Sequence, residues 1–257
     1  MEWLKNLFFP PKCASCSALL DFTHIEAHYA LCKDCRSLFL DEQKEICLFC
    51  RCEVNACTCV PELLKKAGST QFYKTVYYRH GKGAAVQNRM IFRIKNNRDS
   101  RTSRFFANAL ARELKKREQK GEICLQGAII TYVPRRRRAV LEKGTDQARM
   151  LANMLSKELG IPSITCLVRR RFAQKEQKTL TPAERMRNAR ASFSLKDGAP
   201  IAGKTVLLVD DIVTTGASMA ACVQKLLADG AGEVICIAAA SDDTNQAPIS
   251  PQPTRKK

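Results

Sequence analysis

Residues 206–218 read Val-Leu-Leu-Val-Asp-Asp-Ile-Val-Thr-Thr-Gly-Ala-Ser, an order that few folds accommodate. The four leading apolar residues suit a strand covered on both faces, as in a parallel sheet. Asp210 and Asp211 follow, then a turn of small residues, then a helix beginning near Ala217. Thr214, Thr215, Gly216 and Ser218 offer hydroxyls and closely approachable N–H groups where that helix leaves its first N–H groups unpaired. A turn of this kind cradles a phosphate. The two carboxylates repel a phosphate, so they face another part of the same ligand, such as sugar hydroxyls. A phosphorylated ribose is the first ligand this stretch suggests.

The chain around it alternates strands and helices. Residues 75–78, 128–133, 163–168 and 233–240 read as further strands. Residues 84–93, 102–118, 147–159, 182–189 and 217–228 read as helices, with residues 81–83 as a turn. Apolar stripes recur at helical spacing: Phe106, Leu110 and Leu114; Ala148, Leu151, Ala152, Leu155 and Leu159; Ala220, Val223, Leu226 and Leu227. Gly160 and Pro162 end the third of these helices. This alternation predicts an α/β fold, a parallel sheet with helices on both faces. The expected organisation is a cysteine-rich module over residues 8–60, a connector, an α/β domain over 70–241, and a tail over 242–257. The tail holds three prolines and no periodicity and reads as disordered.

The module is defined by spacing. Cys13 with Cys16, Cys32 with Cys35, and Cys47 with Cys50 form three C-x2-C knuckles, and Cys57 with Cys59 forms a C-x-C. Two thiolates on a tight knuckle occupy two corners of a tetrahedral zinc ion, and a second knuckle supplies the other two. The first four cysteines have zinc-ribbon spacing, and the next four make a second site. Interleaved ligation, in which knuckles one and three share a metal, fits the spacing as well. A module this small lacks a core, so one or two structural zinc ions would hold it together. His24 and His28 read as surface residues. Cys166, Cys222 and Cys236 lie in apolar segments and read as small core residues. No secretory signal precedes this framework and no apolar run approaches the ~20 residues of a membrane span, so a cytoplasmic location is expected.

With 43 Lys or Arg against 25 Asp or Glu, the formal net charge is +18, a balance that favours polyanionic ligands. Ligands of an open parallel sheet bind beyond the carboxyl ends of its strands. Three loops leave such ends: residues 134–146, 169–181 and 210–218. From Arg135 to Arg190 there are 15 Lys or Arg and 5 Asp or Glu. A cationic rim beside a phosphate cradle is what a sugar carrying phosphate and pyrophosphate requires.

Residues 206–218 resemble the phosphoribosyl pyrophosphate (PRPP) motif of type I phosphoribosyltransferases: a hydrophobic strand, two acids, two variable residues, Thr-Thr-Gly and a small hydroxyl residue. Cysteine knuckles ahead of such a domain make the chain similar to the ComF family of competence-associated phosphoribosyltransferase-like proteins. Phe8-Phe9-Pro10 before the first knuckle, and Gln177, Leu180, Glu184, Arg185 and Asn188, belong to the same resemblance. It implies that Asp210 and Asp211 act on the ribose hydroxyls. It implies that Val213, Thr214, Thr215, Gly216, Ala217 and Ser218 form the 5′-phosphate loop, and that Mg2+ accompanies PRPP. Arg135, Lys143 and Gly144 would meet the pyrophosphate. Family members carry Arg-Gly-Phe-Asn-Gln where this chain has Lys143-Gly144-Thr145-Asp146-Gln147, so an extra acid, Asp146, is expected beside the pyrophosphate. The resemblance also implies a role in DNA uptake during natural transformation, with single-stranded DNA and a helicase-like protein as partners. Three activities are compatible with this site: phosphoribosyl transfer to a nitrogen acceptor, non-catalytic binding of single-stranded DNA, and PRPP sensing.

Overall fold

The computed structural model describes residues 10–20, 30–79, 85–96, 100–136, 140–142, 144–170 and 192–242. Lys143, Arg137, Arg138, His24, His28, Phe8, Phe9, the helix expected at 182–189, Gln177 through Asn188, and residues 243–257 lie outside the described residues.

A four-stranded parallel sheet carries the fold. Its strands are β1 (Gln71–Tyr78), β2 (Ile129–Tyr132), β5 (Thr205–Val213) and β6 (Glu233–Asp242), in the order β1-β6-β5-β2. The central strands are apolar nearly throughout because both faces are covered. Leu207, Val209, Ile235 and Ile237 enter one core, while Val206, Leu208, Val234 and Cys236 enter the other. This is the period-2 alternation of a strand resolved into two buried sides.

Over the first face lie α3 (Val86–Asn96), α4 (Ser100–Gln119) and α5 (Gln147–Leu159), which contribute Met90, Phe106, Leu110, Leu151 and Leu155. The α5 bounds and its buried stripe agree with the sequence reading, and Gly160 closes it at φ 71°. Over the second face lie α2 (Glu62–Lys66) and α6 (Ala217–Ala228), with Leu64, Met219, Val223 and Leu226 inside. Cys166, Cys222 and Cys236 are fully buried, as expected of small core residues.

Three expectations are corrected. Residues 163–168 do not add a ladder to the sheet. Ser163 makes one parallel bridge to Ile130, and β3 (Leu167–Arg169) turns away to pair antiparallel with β4 (Phe193–Leu195). The connector after the cysteines contains α2, whose Leu64 is fully buried beneath the start of α6. Nor does the cysteine module lack a core. Cys13, Leu20, Leu31 and Phe39, the last on α1 (Lys33–Gln43), belong to the same apolar cluster as the helices of the first face. Phe39 sits edge-on to Phe105 and Phe106 of α4 at centroid distances of 5.0 and 5.8 Å. No helix among the described residues is long and apolar enough to cross a membrane.

Candidate functional site

The carboxyl edge of the sheet gathers the chemistry. β2 pairs with β5 only as far as Tyr132 opposite Val209. β5 continues to Val213, paired on its other side with β6. Asp210 and Asp211 therefore lie within the strand, where the sequence reading placed them just past it. They project where β2 has ended and its loop bends away. Around them is a cavity of about 240 Å³ lined by Lys95, Arg135, Arg169, Asp210, Asp211, Thr214 and Ser218, with apolar walls from Val133, Pro134 and Ile212.

Two adjacent carboxylates at a sheet edge repel one another. Burial and the Asp211 charge push the Asp210 carboxyl well above the usual carboxylate range. Asp210 accepts the Asp211 backbone N–H at 2.8 Å. Asp211, buried, accepts from the Arg135 guanidinium at 2.5 Å. The first cation of the loop after β2 thus reaches across and pairs with an acid of the motif.

That loop is braced by Asp146. It is the N-cap of α5, accepting the Arg149 N–H at 3.3 Å, and it also accepts the Arg135 N–H at 3.4 Å. Burial raises its pKa against these donors. The acid expected beside the pyrophosphate thus has its oxygens engaged by backbone N–H groups. Gly144, at φ 69°, does not line the acid cavity; with Thr145 and Asp146 it borders a neighbouring groove of about 660 Å³.

Beyond β5 the chain turns through Thr214 and Thr215, both exposed, into Gly216 at φ 74°, the N-cap of α6. A left-handed backbone there strains any residue with a Cβ. Thr215 Oγ1 accepts the Ala217 N–H at 3.4 Å, and Thr214 and Ser218 face the cavity. The first turn of a twelve-residue helix is thereby directed at the site of the acids.

Two cavity residues were not singled out from sequence. Lys95 sits in the last turn of α3, beyond residue 93, where the expected helix ended. Arg169 ends β3 with its guanidinium carbon 5.0 Å from the Phe193 ring centre. Burial and Arg136 lower its pKa, and Asp210 opposes that shift.

At the other end of the chain the eight knuckle cysteines form two groups, Cys13, Cys16, Cys32 and Cys35, and Cys47, Cys50, Cys57 and Cys59, with all sulfurs of a group within 4.8 Å of one another. The grouping is sequential, not the interleaved alternative. A tetrahedron with sulfurs ~2.3 Å from a central zinc has edges of ~3.8 Å. Cys16 to Cys32 is 3.7 Å and Cys47 to Cys59 is 4.0 Å, so both donor sets fit a metal ion. Each group holds one easily ionised thiol. Burial opposes ionisation of Cys47, but the Tyr77 hydroxyl and the N–H groups of Cys50 and Phe49 outweigh it and bring the pKa to about 6. At Cys13 the N–H groups of Cys32, Cys16 and Ser15 similarly outweigh burial, giving about 7.

A family model for the phosphoribosyl transferase domain matches residues 145–255. DNA utilization protein YhgH of Shigella flexneri is 30% identical over 145 residues, 56% of this chain and 63% of that protein. Competence protein F of Haemophilus influenzae is 35% identical over 80 residues, 30% of this chain and 34% of that protein. The matched region thus spans between a third and two thirds of these curated relatives. Among solved structures, a hypoxanthine phosphoribosyltransferase from Staphylococcus aureus aligns with 58% of this chain and 70% of its own, at 13% identity and a TM-score of 0.35.

Proposed function

We propose that this chain, whose likeness to DNA utilization protein YhgH and Competence protein F supports membership of the ComF family, binds PRPP with Mg2+ at the carboxyl edge of its phosphoribosyltransferase-type α/β fold. The observation that carries this reading is the convergence of Asp210, Asp211, Thr214, Ser218, Arg135, Lys95 and Arg169 on one cavity. Asp210 and Asp211 accept hydrogen bonds from the ribose hydroxyls. The turn from Val213 through Thr214, Thr215, Gly216 and Ala217 to Ser218 holds the 5′-phosphate at the α6 N-terminus. Arg135 leaves Asp211 as the ribose arrives and turns to the pyrophosphate, joined by Lys95, Arg169, Lys143 and Gly144.

Bound Mg2+ supplies positive charge to the pyrophosphate as a leaving group. The cations of the chain add to that stabilisation in a partly dry site. With a nitrogen nucleophile on the opposite side of the ribose, phosphoribosyl transfer follows. The two cysteine groups hold structural zinc.

The names of the relatives and the +18 charge support a role in DNA uptake; the family resemblance extends the proposal to a cytoplasmic protein with single-stranded DNA and a helicase-like protein as partners. Calorimetry with PRPP, with and without Mg2+, tests the binding; pyrophosphate release with a panel of bases tests the transfer. Mg2+-dependent binding without release from any base would favour the sensing activity. Absence of PRPP binding, together with DNA binding that weakens steeply with salt, would replace the PRPP reading by the DNA one.

A further inference from the structure

Lys74 is 2% exposed, in the middle of β1. A lysine so deeply buried needs a counter-charge or a strong acceptor. Its Nζ lies 3.2 Å from Cys57 Sγ and within 5.5 Å of the Phe72 ring centre and 5.2 Å of that of Tyr77. Among the described residues no carboxylate pairs with it. The same strand sends the Tyr77 hydroxyl to Cys47. Two donors from the α/β sheet therefore point at two different sulfurs of the second cysteine group, and both sulfurs are fully buried.

We propose that Lys74 and Tyr77 are outer-shell residues of a metal site at Cys47, Cys50, Cys57 and Cys59, so that this site is completed by the α/β sheet and not by the cysteine module alone. The proposal rests on the zinc reading above. Four thiolates around a divalent cation leave two excess negative charges, and in a buried site that excess is costly. One ammonium in hydrogen-bond contact halves it, and the metal site in turn supplies the negative charge that Lys74 otherwise lacks. The metal thereby becomes a fastener between the knuckles and β1, the edge strand of the sheet. Packing agrees with this. The 3-10 turn Val54–Ala56 between the ligand pairs has Val54 fully buried, and the Ala56 carbonyl accepts from Arg117 of α4 at 2.7 Å.

The test uses the full chain loaded with cadmium, in which each tetrathiolate site gives its own cadmium NMR signal. Wild type should show two signals. Lys74→Met should shift one of them and make that site release its ion to a chelator at about 10- to 100-fold lower competitor concentration, with the other site unchanged. Tyr77→Phe should act on the same site by a smaller factor, and Lys74→Arg should restore most of the loss. An unchanged second site in both Lys74→Met and Tyr77→Phe would overturn the proposal while leaving the metal reading intact. So would equal weakening of both sites, which marks a general loss of folding. A wild-type chain with no signal from the second cysteine group would refute the metal reading and the proposal together. If Lys74→Met does not fold, Tyr77→Phe, which removes one hydroxyl, decides alone.

Discussion

The molecule crowds like charge in two places and relieves it differently. In the cysteine module, two groups of four sulfurs are each drawn within 4.8 Å; ionised together, each group needs a cation that the knuckles themselves do not carry. At the sheet edge, Asp210 and Asp211 sit side by side with side-chain cations already present: Arg135 on Asp211, with Lys95 and Arg169 lining the same cavity. The difference separates a fastener from a binding site. A metal ion among four thiolates would be held by geometry and leave slowly. An arginine on a loop can exchange one anion for another, so its acid partner becomes available to a ligand.

Removing the metal should have the largest effect. Stripping zinc from the full chain with a strong chelator should lower the Tm by more than about 10 °C, because metal binding at structural sites is folding free energy. The shared apolar cluster around Phe39 and Phe106 keeps this loss below that of an isolated zinc finger. An unchanged Tm in differential scanning calorimetry would transfer the module's stability to those apolar contacts and erase the contrast.

At the sheet edge the large effect should fall on binding and not on folding. Asp210→Asn with Asp211→Asn should weaken PRPP binding by more than about 100-fold, two charged acceptors each contributing roughly 1.5–3 kcal/mol. The Tm should stay within a few degrees. Calorimetric affinity equal to wild type would remove the ribose from the acid pair.

A smaller effect is expected from Asp146→Ala. It removes the α5 cap and the acceptor for the Arg135 N–H, at a cost of about 1–2 kcal/mol in urea unfolding. Were Asp146 instead an acid facing the ligand, the substitution would cost no stability and would tighten PRPP binding.

How far the sequence could be read follows the range of the interactions involved. Local patterns were legible: the α5 stripe from Ala148 to Leu155, the turn into α6 at Gly216, and the knuckle spacings. So was the parallel α/β class, because the runs at 206–209 and 233–240 are too apolar for a sheet with one wet face. What depends on tertiary contacts was not. Lys95 reads as one more base on a basic helix until α3 is seen to run to Asn96 and point its last turn at Asp210. Asp146 reads only as an extra acid beside the pyrophosphate, because its partner, the Arg135 N–H, is eleven residues away. Lys74 fell outside the strand expected at 75–78; β1 begins at Gln71 and buries it, and a buried charged residue calls for a partner. The switch of residues 167–169 from the main sheet to β4 had no local signal, since a short apolar strand fits either pairing.

The smallest effect expected concerns Asp210 alone and runs in the opposite direction. Its folded-state pKa is raised by burial and by Asp211, so the fold holds its proton more tightly than the unfolded chain does. That contribution favours the fold fully below the unfolded pKa and is lost as pH rises through the folded value, so the buried acid stabilises the fold less at neutral pH than in acid. Asp210→Asn should therefore stabilise the ligand-free protein at pH 7 by on the order of 1 kcal/mol, the usual cost of keeping a binding group in an unfavourable environment. The gain should vanish at about pH 2.5, more than one unit below the ordinary Asp pKa of ~3.9, where Asp210 is protonated in both states. Urea unfolding at the two pH values checks the sign. A variant less stable than wild type at pH 7 would mean that the Asp210 charge is needed by Arg169 and Arg135 even without ligand, and the sheet edge would then resemble the cysteine module as proposed: a charge cluster held closed for structure.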